Sequence, residues 1–452
     1  ERPVTLGHRG QPITNRFGLD EYFALRDELG CQTILVANFR DAVARKVPLA
    51  EAAMRAAGLV AYCNAPVGAK LPPGMDDWPA LRARNGREKP FRAEFIQIGN
   101  EWWLFAEGAW QAAGLADVQQ AAKWYTECLL AYVERIRQVD RDVEIIIDAN
   151  MGKGIEKLVL ADPAVRREVR YAALHHYQPG PMDQLARDGQ PCGPDQLSGR
   201  DWWNAWAAMP GVYGDDGANL ALSQAVELAR SLGYIVACTE WNWNGWGYAR
   251  LDPPAGIDWR LAAGIGAAGF LHGLIRQAGD VRIATQSMLL GHRWHITAVR
   301  ADPEGKVPPC FLPQGQATTF YNLHHGDRVL DCSVEGAATY AQPFQVGWAP
   351  PRKRVAVLDV VVTADDGAVY VHAINRDFDR ALPVDVDLTA LGALAGAGTH
   401  YLLTGPLVRG GEEPAPREAM EVTERPLAQA GGRLAVELPP RSASCLVVPR
   451  SR

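Results

Sequence analysis

The chain has 452 residues, 48% of them hydrophobic and 22% charged, which is enough apolar content for a buried core and enough length for two domains, so disorder is excluded as the default state. A formal charge of −6 with acids and bases interspersed leaves no electrostatic footprint for nucleic acid or for an anionic membrane surface, and points to a neutral partner. No apolar run reaches the roughly 20 residues of a membrane span, and the opening "ERPVTLGHRG" lacks the charged-then-apolar layout of a signal peptide.

In chain order, short β-branched runs alternate with helical segments up to about residue 300, the pattern of a parallel sheet wrapped by helices. The strands are predicted at "QTILVAN" (32–38), "EFIQIGN" (94–100), "VEIIIDAN" (143–150), "YAALHHY" (171–177), "YIVACTEWN" (234–242) and "VRIAT" (281–285). Among the helices, "GLDEYFALRDELG" and "LSQAVELARSLG" each end at a glycine, as a C-cap would, and "PLAEAAMRAAGLVAYCN" is another. A further one, "LADVQQAAKWYTECLLAYVERIRQ", sets Val118, Ala122, Tyr125, Leu129 and Ile136 on one face, with Asp117 complementing its dipole.

After about residue 305 only strands and turns are expected. "VAVLDVVVTADDGAVYVHAINRD" reads as two strands about an Asp-Asp-Gly turn, and "GGRLAVELPPRSASCLVV" as another strand pair, together a β-sandwich. The Pro- and Gly-rich "RADPEGKVPPCFLPQGQ" marks the boundary region, giving domains at 1–304 and 305–452. Eight cysteines, none in a C-x-x-C pair, read as mostly free, buried thiols, which favours a reducing, cytoplasmic compartment over secretion.

In an α/β barrel the catalytic groups sit at the C-terminal ends of the strands. The polar residues gather there: Asn100 and Glu101, Asp148 and Asn150, His175, His176 and Tyr177, Glu240 and Asn242. Two of these ends, "GNEWW" and "TEWNWNGW", share one layout, a glutamate with tryptophans beside it. Sugars present apolar C–H faces to indoles and hydroxyls to polar groups, so this pairing suits a saccharide site. Of Trp102, Trp103, Trp241, Trp243 and Trp246, about half must be packing, because neighbours on a strand point to opposite sides.

These motifs, with "NRFGLDEYFALRDELGCQTILVANF", "AAGLVAYCNAP", "LRARNG", "HHY", "FLHGLIRQAGDVRIA", "YLLTGP" and "LPPRSASCLVV", resemble glycoside hydrolase family 51, the α-L-arabinofuranosidases, of the clan A retaining enzymes. The resemblance implies a (β/α)8 TIM-type barrel followed by a β-sandwich, with no cofactor, no metal and often a homo-oligomer. It makes Glu101 the general acid/base, Glu240 the nucleophile, and Asn100 the neighbour that bonds the sugar's 2-hydroxyl. His175 and Tyr177 fall on the H-x-Y positions, where the tyrosine touches the nucleophile. Trp102, Trp243, Trp246 and Gln286 complete the expected substrate contacts. Two positions differ: the family's tryptophan four residues after the nucleophile falls on Asn244, and its substrate glutamine near the last barrel strand falls on Met288, with Gln286 close by. The family also begins with a sandwich strand and two barrel strands that have no counterpart here. Six barrel strands are therefore counted instead of eight, the rest being supplied by a separate polypeptide, left out of the sequence as given, or replaced by a different closing strand.

Plainer roles stand beside these. Glu101 and Glu240 could each be a surface carboxylate at a strand end. Asp148 fits structural hydrogen bonding better than a third catalytic acid. Neither H-E-x-x-H nor a cysteine cluster accompanies the histidines, so metal ligation is set aside and one of His175 and His176 is expected in the core. "DWWNAWAAMPG", with Trp202, Trp203 and Trp206, divides evenly between loop core and an outer sugar subsite. No phosphate loop or G-x-S-x-G elbow occurs. The sequence thus points to a retaining glycoside hydrolase acting on plant-type polysaccharide or oligosaccharide, first an α-L-arabinofuranosidase. The alternatives are a clan A endo-β-glucanase or xylanase, or a noncatalytic carbohydrate-binding protein.

Overall fold

The computed structural model describes residues 3–7, 10, 12–102, 106–115, 117–149, 155–181, 184–208, 222–246, 259–291, 297–347, 349–405 and 420–451. Packing divides the chain into two units, one of residues 1–173 and 228–235, the other of 174–227 and 236–452.

The first unit carries β1 (Ile34–Ala37), β2 (Phe95–Ile98), β3 (Glu144–Ile147) and the start of β4 (Tyr171–Pro181). They pair parallel in that order, Ile34 opposite Phe95, Phe95 opposite Glu144 and Ile146 opposite Tyr171. Ile96, Ile98, Ile145, Ile146 and Ile147 are fully buried, which is why these strands read as unbroken apolar runs. Around them lie α1 (Leu19–Leu29), α2 (Leu49–Asn64) and α3 (Val118–Arg137). Gly30 closes α1 at φ 66°, its N–H donating to the Arg26 carbonyl, as a left-handed cap requires. Asp117 caps α3 by accepting from the Gln120 N–H at 2.8 Å. On α3 the predicted face buries Ala122, Tyr125, Leu129 and Ile136, while Val118 is exposed.

The second unit holds the rest of β4, nearly all of β5 (Ile235–Trp246) and β6 (Val281–Gln286), again neighbours in that order. All six parallel strands lie where the sequence placed them, and among the described residues they number six. α4 (Gly199–Ala208), α6 (Trp259–Arg276) and α7 (Pro313–Leu323) belong to this unit; α5 (Leu222–Leu232) begins in it and ends in the first unit at Gly233, φ 82°. The helix α7 corrects the expectation of strands and turns alone after residue 305. The "LPQGQ" that signals a linker is a helix start, with extended Leu312 at the N-cap and Pro313 at the first position, where a missing N–H costs nothing.

Beyond α7, β7 (Arg328–Leu330), β8 (Leu358–Ala364), β9 (Ala368–Asn375), β11 (Ala397–Thr404), β12 (Glu421–Ala428) and β14 (Ser442–Pro449) form an antiparallel sheet in the order β7-β8-β9-β14-β11-β12. The predicted hairpin is β8–β9, its turn fixed by Asp365 accepting from the N–H groups of Gly367 and Ala368. β10 (Leu382–Asp387) and β13 (Arg433–Leu438) form a separate pair. "GGRLAVELPPRSASCLVV" therefore does contain two strands, β13 and β14, but they pair with β10 and with β9 and β11, not with each other. Val362, Val369, Val371, Leu427, Leu434, Leu446 and Val448 form the core of this region. Trp202 and Trp203 of α4 are buried, and Trp203 donates its indole N–H to the Arg376 carbonyl at 2.8 Å, so both are core; the Trp206 side chain lies outside the described residues.

All eight cysteines are free; Cys63, Cys128, Cys238 and Cys445 are buried. Among the described residues no helix is long and apolar enough to cross a membrane.

Candidate active site

The site residues fall at the ends of the parallel strands, in each unit separately. In the first unit, β2 ends at Gly99, whose φ of 90° is open to glycine and strained for other residues. Asn100 is exposed and Glu101, partly exposed, has φ 47°, a left-handed conformation rare for glutamate and of the kind that gathers at functional sites. The bend is fastened by Asp148, which is fully buried at the end of β3: its Oδ2 accepts from the Trp102 N–H at 3.0 Å, and its own carbonyl accepts from the Tyr125 hydroxyl at 2.9 Å. A Cβ at Gly99 would meet Asp148 and Phe39 at 3.4 Å, an ordinary contact, so it is the positive φ that asks for glycine. Asp148 thus has the structural role the sequence favoured.

Trp102 is only 4% exposed and packs against Trp110 and Tyr125, with ring centroids 5.1 and 4.9 Å away. This corrects its assignment as a sugar contact, since an indole enclosed by other rings has no face to offer; a tryptophan beside a glutamate signals packing as readily as stacking. Trp103 and Asn150 lie outside the described residues, as do the side chains of Trp243 and Trp246.

In the second unit β4 and β5 bring His175, Tyr177 and Glu240 together. The Tyr177 hydroxyl donates to Glu240 Oε2 at 2.6 Å, and His175 Nδ1 lies 3.6 Å from the same oxygen. The Glu240 side chain is 27% exposed, open enough to meet a ligand, while His175 is 3% exposed. Strand alternation sends the neighbours the other way. His176 is buried against Phe270, the core histidine of the pair, and Trp241 stacks on the same ring at 5.0 Å. Asn242 is fully buried and donates to the Ser287 carbonyl. Gln286 donates to the Gln314 carbonyl at 3.2 Å and accepts from the Thr318 hydroxyl at 2.9 Å, both on α7, so its amide is engaged in fixing that helix. Sequence reasoning missed Thr239, whose Oγ1 lies 3.1 Å from His175 Nε2; its place one residue before the strand-end glutamate is the signal that could have drawn attention.

Parallel strands that end in carboxylates define a class, the TIM-type α/β proteins with a polar site at the strand tips. A family model described as Alpha-L-arabinofuranosidase 1 domain matches residues 1–186. The chain is similar to the intracellular exo-α-(1→5)-L-arabinofuranosidase of Streptomyces lividans, 24% identical over 405 residues, 84% of this chain and 52% of that one. It therefore spans about half the length of that relative. Among solved structures it is similar to the α-L-arabinofuranosidase of Thermotoga maritima in its arabinose complex, with TM-score 0.69 and 20% identity over 99% of this chain and 82% of the other. The GH51 α-L-arabinofuranosidase of Thermotoga petrophila gives 0.68 and 20%, over 100% and 82%. The fold is thus TIM-like α/β, and the chain is like the GH51 α-L-arabinofuranosidases.

Proposed function

We propose that the protein is a retaining glycoside hydrolase that releases α-L-arabinofuranosyl groups from plant-type polysaccharide or oligosaccharide. Glu240 is its nucleophile and Glu101 its general acid/base. The observation that carries this reading is the setting of Glu240: a partly open carboxylate at a strand end, with one oxygen held by the Tyr177 hydroxyl and faced by His175. A hydrogen bond of that kind fixes the direction in which the carboxylate can attack. The likeness to arabinofuranosidases supports the substrate class.

In the first step the Glu240 carboxylate attacks the anomeric carbon, the bond to the leaving oxygen breaks, and that oxygen takes a proton from Glu101. Water deprotonated by Glu101 then attacks the glycosyl-enzyme from the opposite face, restoring the starting configuration and freeing Glu240. The mechanism calls for carboxyl groups about 5–5.5 Å apart. Asn100 bonds the sugar's 2-hydroxyl in this scheme, and Trp243 and Trp246 give it apolar contact. Residues 1–304 form the catalytic domain and 305–452 a β-sandwich; the protein is cytoplasmic and a homo-oligomer, the last overturned by a one-chain mass in light scattering.

The test is hydrolysis of a panel of aryl glycosides. Wild type cleaves the aryl α-L-arabinofuranoside, and Glu240→Ala and Glu101→Ala do not. Azide rescues Glu240→Ala, giving a glycosyl azide of inverted configuration. Cleavage of β-glucosides or β-xylosides in place of the arabinofuranoside would move the substrate class. Binding of sugar with no cleavage would replace the hydrolase with a binding protein.

A further inference from the structure

We propose that Thr239 is a positioning residue: its hydroxyl sets the tautomer of His175 so that the ring presents an N–H to Glu240. The inference rests on the nucleophile assignment above and concerns how that carboxylate is held. His175 is nearly enclosed and lies between two oxygen atoms, with Nε2 3.1 Å from Thr239 Oγ1 and Nδ1 3.6 Å from Glu240 Oε2.

A neutral imidazole carries one N–H and one lone pair, and an ionised carboxylate only accepts. A lone pair on Nδ1 would face the negative oxygen and be repelled, so the proton belongs on Nδ1. Nε2 is then an acceptor in a buried place, where an acceptor needs a donor, and the Thr239 hydroxyl lies at hydrogen-bond distance and is able to donate to it. Were the ring to gain a second proton, the same hydroxyl would turn and accept. The backbone beneath it is pinned, because the Thr239 carbonyl accepts from the Thr285 hydroxyl on β6. Valine, of almost the same shape, can do neither job; serine can do both. Thr239 acts through the ring it touches, which makes it a positioning residue.

The experiment measures kcat and KM on an aryl α-L-arabinofuranoside for wild type, Thr239→Val and Thr239→Ser, with ring 15N spectra of histidine-labelled protein assigned through His175→Gln. Wild type should show His175 protonated at Nδ1 and bare at Nε2. Thr239→Val should lose about ten-fold in kcat, the worth of one buried hydrogen bond, with KM little changed and the His175 signals moved; Thr239→Ser should restore both. A wild-type ring protonated at Nε2 alone overturns the proposal, and so does a valine variant with wild-type rate and spectrum, or a serine variant as slow as valine. If valine prevents folding, the wild-type and serine spectra decide. If wild-type protein cleaves no glycoside, the hydrolase reading falls, and the three ring spectra still decide whether Thr239 sets the tautomer.

Discussion

Two carboxylates of the second unit, Glu240 and Asp359, each meet a histidine, yet their surroundings differ in kind. Asp359 is buried, with Arg376 at 2.5 Å on one oxygen and Arg276 and His272, the latter at 3.1 Å, on the other. Burial alone would raise its pKa, but the Arg376 guanidinium, with His272 and Arg276, overrides that and holds it well below the usual carboxylate range. Arg376 is itself enclosed and donates to the carbonyls of Ala207 and Ala356. Glu240 instead meets a phenol and an imidazole, and its side chain stays 27% exposed. A carboxylate that must gain and lose a covalent bond needs direction without full neutralisation; one that ties α6 to β8 and β9 needs every charge answered. On the proposed reading, this is the difference between a working acid and a structural one.

Removing each carboxylate in turn should give the largest and most opposite effects. Glu240→Ala should cost on the order of 10^4-fold in kcat and leave the urea midpoint unchanged or slightly raised, since active-site charges are held at some expense of stability. Asp359→Ala should do the reverse. It strands two guanidinium groups, one of them buried, and should cost about 3–5 kcal/mol in urea unfolding, while protein that remains folded keeps its kcat. If Asp359→Ala removes activity at unchanged stability, the division between the two regions is wrong. Tyr177→Phe comes next. Loss of a hydrogen bond to a charged group is worth about 1.5–3 kcal/mol, so kcat should fall about ten- to a hundred-fold with little change in KM. A wild-type kcat would mean that the 2.6 Å contact does not hold the nucleophile.

The two regions were also unequally legible in the sequence. Glu240 and Tyr177 stood out because a parallel strand is a short apolar run and its polar end is visible at once. The same rule placed all six parallel strands. Asp359 could not be seen this way: its partners lie 87, 83 and 17 positions away, and nothing local to "VLDVVV" announces them. Trp102 was misjudged for a related reason, since stacking on sugar and packing on Trp110 and Tyr125 ask for the same side chain. The helix α7 was hidden by its prolines, which mark a linker and a helix start alike.

A further effect should come from the histidines around Asp359, and it is a matter of pH. His272, which accepts from or donates to the Tyr321 hydroxyl at 2.6 Å, and His372, stacked on the Tyr321 ring at 4.7 Å, are both fully buried. Burial lowers the pKa of His272 against the opposing pull of Asp359, and burial together with the neighbouring His272 takes His372 well below its ordinary value. Both are therefore held neutral in the fold. The unfolded chain binds a proton at each below about pH 6.5 while the folded chain does not, so stability is full above that pH and falls as pH drops through it. Each histidine should contribute a slope of about 1.4 kcal/mol per pH unit until its folded pKa is reached. Asp359 adds nothing in this range, because a carboxylate with a depressed folded pKa loses its contribution only below about pH 4. Urea unfolding at several pH values between 7.5 and 5 should show the fall. His372→Gln removes one of the two protons, so its line should be flatter by about 1.4 kcal/mol per pH unit, whatever the substitution costs in absolute stability. Parallel lines for the variant and the wild type would mean that His372 does not enter the fold neutral.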